Sequence, residues 1–179
     1  MCGRFSLTGS RQKIIDLFAL EEAPAIPPHY NVAPTQTVAA VRSSPEGRGR
    51  ELTFLLWGLI PPWADDPAMG NRLINARSES AAEKPAFRAA FRKRRCLIVA
   101  DGFFEWQERG GKKQPYFIRL RNGDPFGLAG LWEVWRDDSG KPVETCTILT
   151  TEANALVRPL HNRMPAIIDP ADYRRWLDP

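Results

Sequence analysis

Sixteen prolines and 13 glycines are scattered through 179 residues, and they constrain the fold more than any other feature. Proline fixes φ and removes a backbone donor, while glycine makes ordering costly. Uninterrupted stretches are therefore short, which excludes a bundle of long helices. The apolar fraction of 43% still supports a packed core, so the breaks punctuate a folded chain rather than a disordered one. The length fits one domain over 1–179 with a core of its own.

Between the breaks, hydrophobic spacing reads mostly as strand. Ser10–Leu20 places Ile14, Ile15, Leu17 and Phe18 at helical intervals behind Ser10 as N-cap. Residues 21–36 carry four prolines and read as loop. Thr37–Arg42 and Glu51–Trp57 are strand-like around a hairpin-type connection, and 57–70 is a rigid loop. Ser78–Arg94 holds one or two short helices broken at Pro85. Strands then follow at Cys96–Ala100, Gly102–Glu108, Pro115–Arg121, Phe126–Trp132 and Val143–Thr150. Asp169 before Pro170 opens a last short helix to Leu177. The expected class is α+β: a β-rich single domain with a curved or barrel-like sheet and peripheral short helices.

Three cysteines, at 2, 96 and 146, do not form a disulfide framework, and a reducing compartment fits them. No apolar run reaches a membrane span and no signal-peptide core follows Met1, so a soluble, cytoplasmic protein is expected. Metal spacings such as CxxC or HxxxH are missing, and the two histidines, His29 and His161, lie far apart. No phosphate-cradling glycine loop or GxSxG elbow is present. No metal and no cofactor is expected. The net charge is only +4, but 19 of the 25 basic residues are Arg, whose planar fork suits phosphates. The run at 84–95 reads equally as a solvated helix face.

The chemistry concentrates on Cys2. A small second residue invites removal of Met1, which would leave a terminal α-amine and a thiol on one residue, both partly nucleophilic near neutral pH. Such an aminothiol condenses with an aldehyde to an imine and then closes a thiazolidine ring; an internal Lys or Cys manages only the reversible first half. Alternation in Cys96–Trp106 turns Glu105 away from Phe104 and Trp106, a setting for a general acid/base or for a carboxylate paired with an Arg. His161 sits in a loop opening a strand, as a catalytic or a structural histidine. Asn75 offers donor and acceptor ends to a substrate, or caps a turn. Arg4, Arg77 and Arg163 each lie within two residues of one of these positions. Trp57 and Trp63 flank a stiff GLIPP spacer and are candidates for stacking on unpaired bases, or for the core.

The segments MCGRF at 1–5, YNVAPTQ at 30–36, WGLIPPWA at 57–64, INARSE at 74–79, KPAFRAAFRKRRCLIVADGFFEW at 84–106, LAGLWE at 128–133, TILTTEAN at 147–154 and HNRMP at 161–165 together resemble the SRAP (SOS response-associated peptidase) family of abasic-site processing proteins. Phe104 departs from the tyrosine that many members carry. The resemblance implies loss of Met1 and a covalent thiazolidine between Cys2 and the ring-opened aldehyde of an abasic site in single-stranded DNA. It implies Asn75, Glu105 and His161 as partners of Cys2, with the three arginines and two tryptophans on the DNA. A monomer that joins the nucleoid when acting is expected. Two rivals remain: a thiol (auto)peptidase using Cys2, and a non-catalytic single-strand nucleic-acid binding module.

Overall fold

The computed structural model describes residues 2–44, 47 and 49–178. Met1, whose removal the sequence anticipates, and part of the 44–49 hairpin connection lie outside the described residues. Five strands close a barrel: β3 (Thr37–Ser43), β4 (Arg50–Trp57), β6 (Arg95–Ala100), β9 (Phe126–Arg136) and β10 (Pro142–Glu152). Pairing runs antiparallel from β4 through β3, β6 and β9 to β10, and a parallel β10–β4 contact completes the circuit. Closure leaves no open edge along this path. Short β5 (Asn75–Arg77) and β11 (Arg163–Pro165) pair with the end of β10, and β12 (Ile167–Ile168) pairs with β9. A second sheet holds β2 (His29–Val32), β1 (Phe5–Leu7), β7 (Gly102–Arg109) and β8 (Lys112–Ile118), in that order.

The middle positions of the barrel strands are buried on both faces, most continuously in β6 and β9. Val38, Ala40, Leu55, Cys96, Ile98, Leu128, Cys146 and Ile148 form the core that contains Trp57 and Cys2. On the opposite face, Ala39, Val41, Leu97 and Val99 pack under α1 (Arg11–Phe18) and α4 (Tyr173–Leu177), where the Phe18 and Tyr173 rings stack at 5.0 Å. Ala129, Leu131 and Leu149 meet α2 (Ser78–Ala81) and α3 (Arg88–Lys93). Inside the barrel, the buried Arg42 is held by Glu51 and Glu144, each at 2.7 Å, with its guanidinium 4.3 Å from the Trp132 ring. Two arginines of the basic run are structural. Arg94 pairs with the buried Glu133, and Arg95 donates to the carbonyls of Phe91, Trp176 and Asp178.

The expected elements appear with adjusted ends. Ser10 accepts from Lys13 N as the N-cap of α1, and Asp169 caps a 3₁₀ turn at Pro170–Asp172 that leads into α4. The tract at 21–36 is not all loop, since His29–Val32 pairs with β1; its prolines conceal a strand too short to show alternation. β8 starts three residues before Pro115 because the β7–β8 hairpin turns on Gly110 and Gly111 alone. Both have positive φ, as a two-residue hairpin turn of matching twist requires. The loop at 57–70 folds back on itself and ends in a 3₁₀ helix at Pro67–Arg72. Gly58 and Gly70 meet there backbone to backbone; a Cβ on Gly70 would lie 2.7 Å from the Gly58 carbonyl oxygen.

β1 is fastened by Asp101, which links β6 to β7. Its carboxylate accepts from Ser6 Oγ, Thr8 N, Thr8 Oγ1 and Gly9 N. Burial alone would raise this carboxyl, but the donors outweigh it and hold Asp101 below its ordinary value. A carboxyl depressed by folding stabilises above its unfolded value of about 3.9 and loses that contribution as pH falls through the folded one. Asp101→Asn is therefore expected to cost about 1–3 kcal/mol at neutral pH. Urea denaturation will show that deficit shrinking below about pH 4; an equal deficit at pH 7 and pH 3 would refute the assignment.

Candidate active site around Cys2

Cys2 lies just before β1, completely buried in the barrel-mouth core with Phe5 and Trp57. Two elements bring polar groups to it. The β1–β7 register pairs Phe5 with Phe103 and joins Phe104 N to the Arg4 carbonyl. One further step along β7 therefore carries Glu105 toward Cys2. Glu105 is 3% exposed while Trp106 faces solvent, as strand alternation demands. Phe104 packs on Phe117 with ring centroids 4.8 Å apart.

β5 supplies the second group. It runs parallel to β10 with Asn75 opposite Ile148, and Asn75 Nδ2 donates to the Cys2 carbonyl at 2.8 Å. Asn75 Oδ1 is buried and has no hydrogen-bond partner among the described residues. A buried acceptor left in that state costs free energy unless something supplies a donor. The amide thus holds Cys2 with one end and presents the other to an incoming N–H or O–H.

Burial pushes the Cys2 thiol up to about 12, and the nearby negative charge of Glu105 raises it further within that total. At neutral pH the sulfur is held as a thiol. The Cys96 and Cys146 thiols are also raised by burial. Neither has an adjacent carboxylate among the causes of its shift.

His161 arrives from the other side of β10. β11 pairs with β10 so that Arg163 faces Glu152 and Pro165 faces Thr150, the residue that also faces Arg77. The His161 ring is fixed by Arg163, whose backbone N–H lies 2.9 Å from Nδ1 and whose carbonyl lies 3.1 Å from it. The structure therefore brings Asn75 and Glu105 to Cys2 directly and sets His161 on the neighbouring edge. Arg77, Glu152, Arg158, Asn162 and Arg163 line a cavity of about 430 Å³ beside it.

The remaining sequence candidates divide. Arg4 is partly exposed and reaches Asn31 Oδ1 at 3.3 Å, and Arg77 is exposed. Trp63 is 56% exposed. Trp57 corrects the reading of a stacking loop: it has no exposed surface, its Nε1 donates to the Ile74 carbonyl at 2.8 Å, and its ring lies 5.2 Å from Phe5. Trp57 shares the inward face of its strand with Leu55, two residues back, so it floors the Cys2 site and is closed to a base. Arg163 is engaged within the protein by Glu79 and Thr150. Glu79, Arg158 and Asn162 escaped the sequence reading, since only β10 unites segments so distant in the chain. Among the described residues no group of three or more His, Cys, Asp and Glu side chains is placed to hold a metal. No helix among them is long and apolar enough to cross a membrane.

A fully buried cysteine beside the chain start, seated at a barrel mouth between an asparagine and a buried carboxylate, marks a β-rich single-domain barrel protein. The family model described as SOS response associated peptidase (SRAP) matches residues 1–179, and the chain belongs to that family. It is 43% identical over 183 residues to the abasic site processing protein YoaM of Bacillus subtilis, covering 100% of this chain and 80% of that protein. Escherichia coli YedK, also named an abasic site processing protein, is 33% identical over 99% of this chain and 79% of its own length. A crystal structure of a protein from Bacteroides thetaiotaomicron superposes with a TM-score of 0.90 at 29% identity, covering 99% of this chain and 82% of that one.

Electrostatics at Cys2 can be read chemically. Removing the adjacent negative charge lowers a thiol pKa, so Glu105→Gln should speed iodoacetamide alkylation of Cys2 several-fold at pH 8. Peptide mass mapping locates the adduct, and a rate equal to wild type would separate Glu105 from the sulfur.

Proposed function

We propose that this protein processes abasic sites by forming a covalent thiazolidine between Cys2 and the ring-opened aldehyde of an abasic site in single-stranded DNA. The observation that carries this reading is the seating of Cys2: Asn75 grips its carbonyl at 2.8 Å and keeps a bare acceptor toward the site. The names of the relatives support the same substrate.

The chemistry requires Met1 to be gone, so that the Cys2 nitrogen is an amine. That amine adds to C1′ of the open-chain sugar, and loss of water gives an imine. The thiol then adds across the C=N bond, its proton passing to the ring nitrogen, and the five-membered ring closes. A thiol raised by burial and by Glu105 stays protonated until a cationic iminium forms beside it, which orders the steps as amine first and sulfur second. Glu105 carries protons during attack, dehydration and closure. His161 protonates the sugar ring oxygen to favour the open aldehyde, and Asn75 Oδ1 orients the amine or a sugar hydroxyl. Arg4 and Arg77 bind flanking phosphates and Trp63 stacks on a base. The imine is shared with β-elimination, so slow strand cleavage accompanies the main product.

The peptidase reading receives less support at the sulfur. Thiol hydrolases work through a thiolate of lowered pKa, whereas this thiol is raised to about 12.

Purified protein mixed with single-stranded DNA bearing one abasic site should give a band on a denaturing gel that survives boiling in detergent. Cys2→Ala and a form that retains Met1 should give none of the stable product. A wild-type lane without the band sinks the proposal, and an equally stable band from Cys2→Ala sinks its thiazolidine step. Trp63→Ala should melt like wild type yet bind an abasic-free oligonucleotide more weakly by about 1–3 kcal/mol, the range for one stacked base. Fluorescence anisotropy reads the loss, and unchanged binding removes Trp63 from the DNA surface.

A further inference from the structure

The Glu79–Arg163 ion pair joins a half-exposed carboxylate to a guanidinium that is largely enclosed. Arg163 Nη1 and Nη2 meet Glu79 Oε1 and Oε2 at 2.6 and 2.9 Å, and Nη2 also donates to the Thr150 carbonyl at 2.5 Å. The Arg163 side chain is only 13% exposed. A fork-to-fork pair of this kind fixes orientation as well as distance. Arg163 holds Glu79 well down, to about 2, so the carboxylate stays charged wherever the protein is in use.

Both ends of this pair lead to the site. Glu79 lies in the first turn of α2, directly after the strand that carries Asn75. Arg163 presents its own backbone N–H and carbonyl to His161 Nδ1, at 2.9 and 3.1 Å. An amide N–H facing Nδ1 requires a lone pair there, which puts the proton of a neutral ring on Nε2.

We propose that Glu79 is a positioning residue: by clamping Arg163 onto Thr150 across the end of β10, it holds His161 in register with Asn75 and keeps its ring proton on Nε2. The consequence for catalysis rests on the abasic-site reading above; the consequence for the His161 ring does not. A role in DNA binding predicts the opposite sign. Glu79 adds negative charge beside Arg77, Arg158 and Arg163, so neutralising it favours phosphate binding rather than weakening it.

The test uses Glu79→Gln, with Arg163→Lys as a second variant that keeps the charge and loses the fork. Single-turnover crosslinking at saturating abasic DNA should slow about tenfold or more, as misplacement of a proton donor does. For Glu79→Gln, affinity for an abasic-free single strand of equal length should stay level or tighten. In a His161→Ala background, Glu79→Gln should slow the reaction no further. Nitrogen-15 spectra of the histidine rings should show His161 as the Nε2–H tautomer in the wild-type protein and as a mixture in both variants. An unchanged rate, or an equal loss with and without His161, overturns the catalytic part. An unchanged tautomer signature overturns the clamp itself. Should wild type form no crosslink, the abasic-site reading fails, and the spectra still decide whether Glu79 governs His161.

Discussion

Everything in this molecule hangs on β10. The eleven-residue strand pairs with β9 on one edge and meets β4 in parallel, which closes the barrel, and its far end then takes on β5 and β11. Asn75 lies in the first of these small strands, and the His161 loop leads into the second. Neither three-residue strand has hydrogen bonds enough to hold its own position, so both borrow theirs from a strand whose other half is core. The positions of Asn75 and of the His161 loop are thereby indexed to the barrel in a chain broken by so many prolines.

The second support is the small sheet that carries the chain start. β1 lies between β2 and β7, and Asp101 ties it at a point where four donors converge on one carboxylate. β7 brings Glu105, and the Arg4–Phe104 backbone bond continues the pairing toward Cys2. Trp57 closes the floor. Barrel and second sheet meet at Cys2, and each delivers one polar partner to it.

Much of this was legible in the residues and some was not. Helix α1, its Ser10 cap, the Asp169–Pro170 start and the barrel strands follow from spacing and capping chemistry, because those signals are local. Glu105 was legible for the same reason: strand alternation separates it from Phe104 and Trp106 without knowledge of any partner. Asn75 reads from the residues alone as a substrate-orienting group or a turn cap, since three residues of strand are too few for a period to show and β5 forms only where β10 receives it. Trp57 misled because a rigid loop begins at the very residue where a barrel strand ends; the last inward position belongs to the core. The Glu79–Arg163 pair spans 84 positions, a separation at which charge pattern carries no information about contact.

Chain ends ordinarily fray, and their motion is independent of the body they belong to. Here the second residue is as enclosed as the centre of the barrel, and it is kept there by the strand pairing and the Asp101 clamp. The packing of the chain start and the protonation state of the Cys2 thiol are therefore one property of this protein. Mild loosening that leaves the barrel intact would release the chain start into solvent, where the thiol is no longer held neutral by burial. Loss of that strand pairing alone would thus change the chemistry of Cys2 with the barrel unchanged.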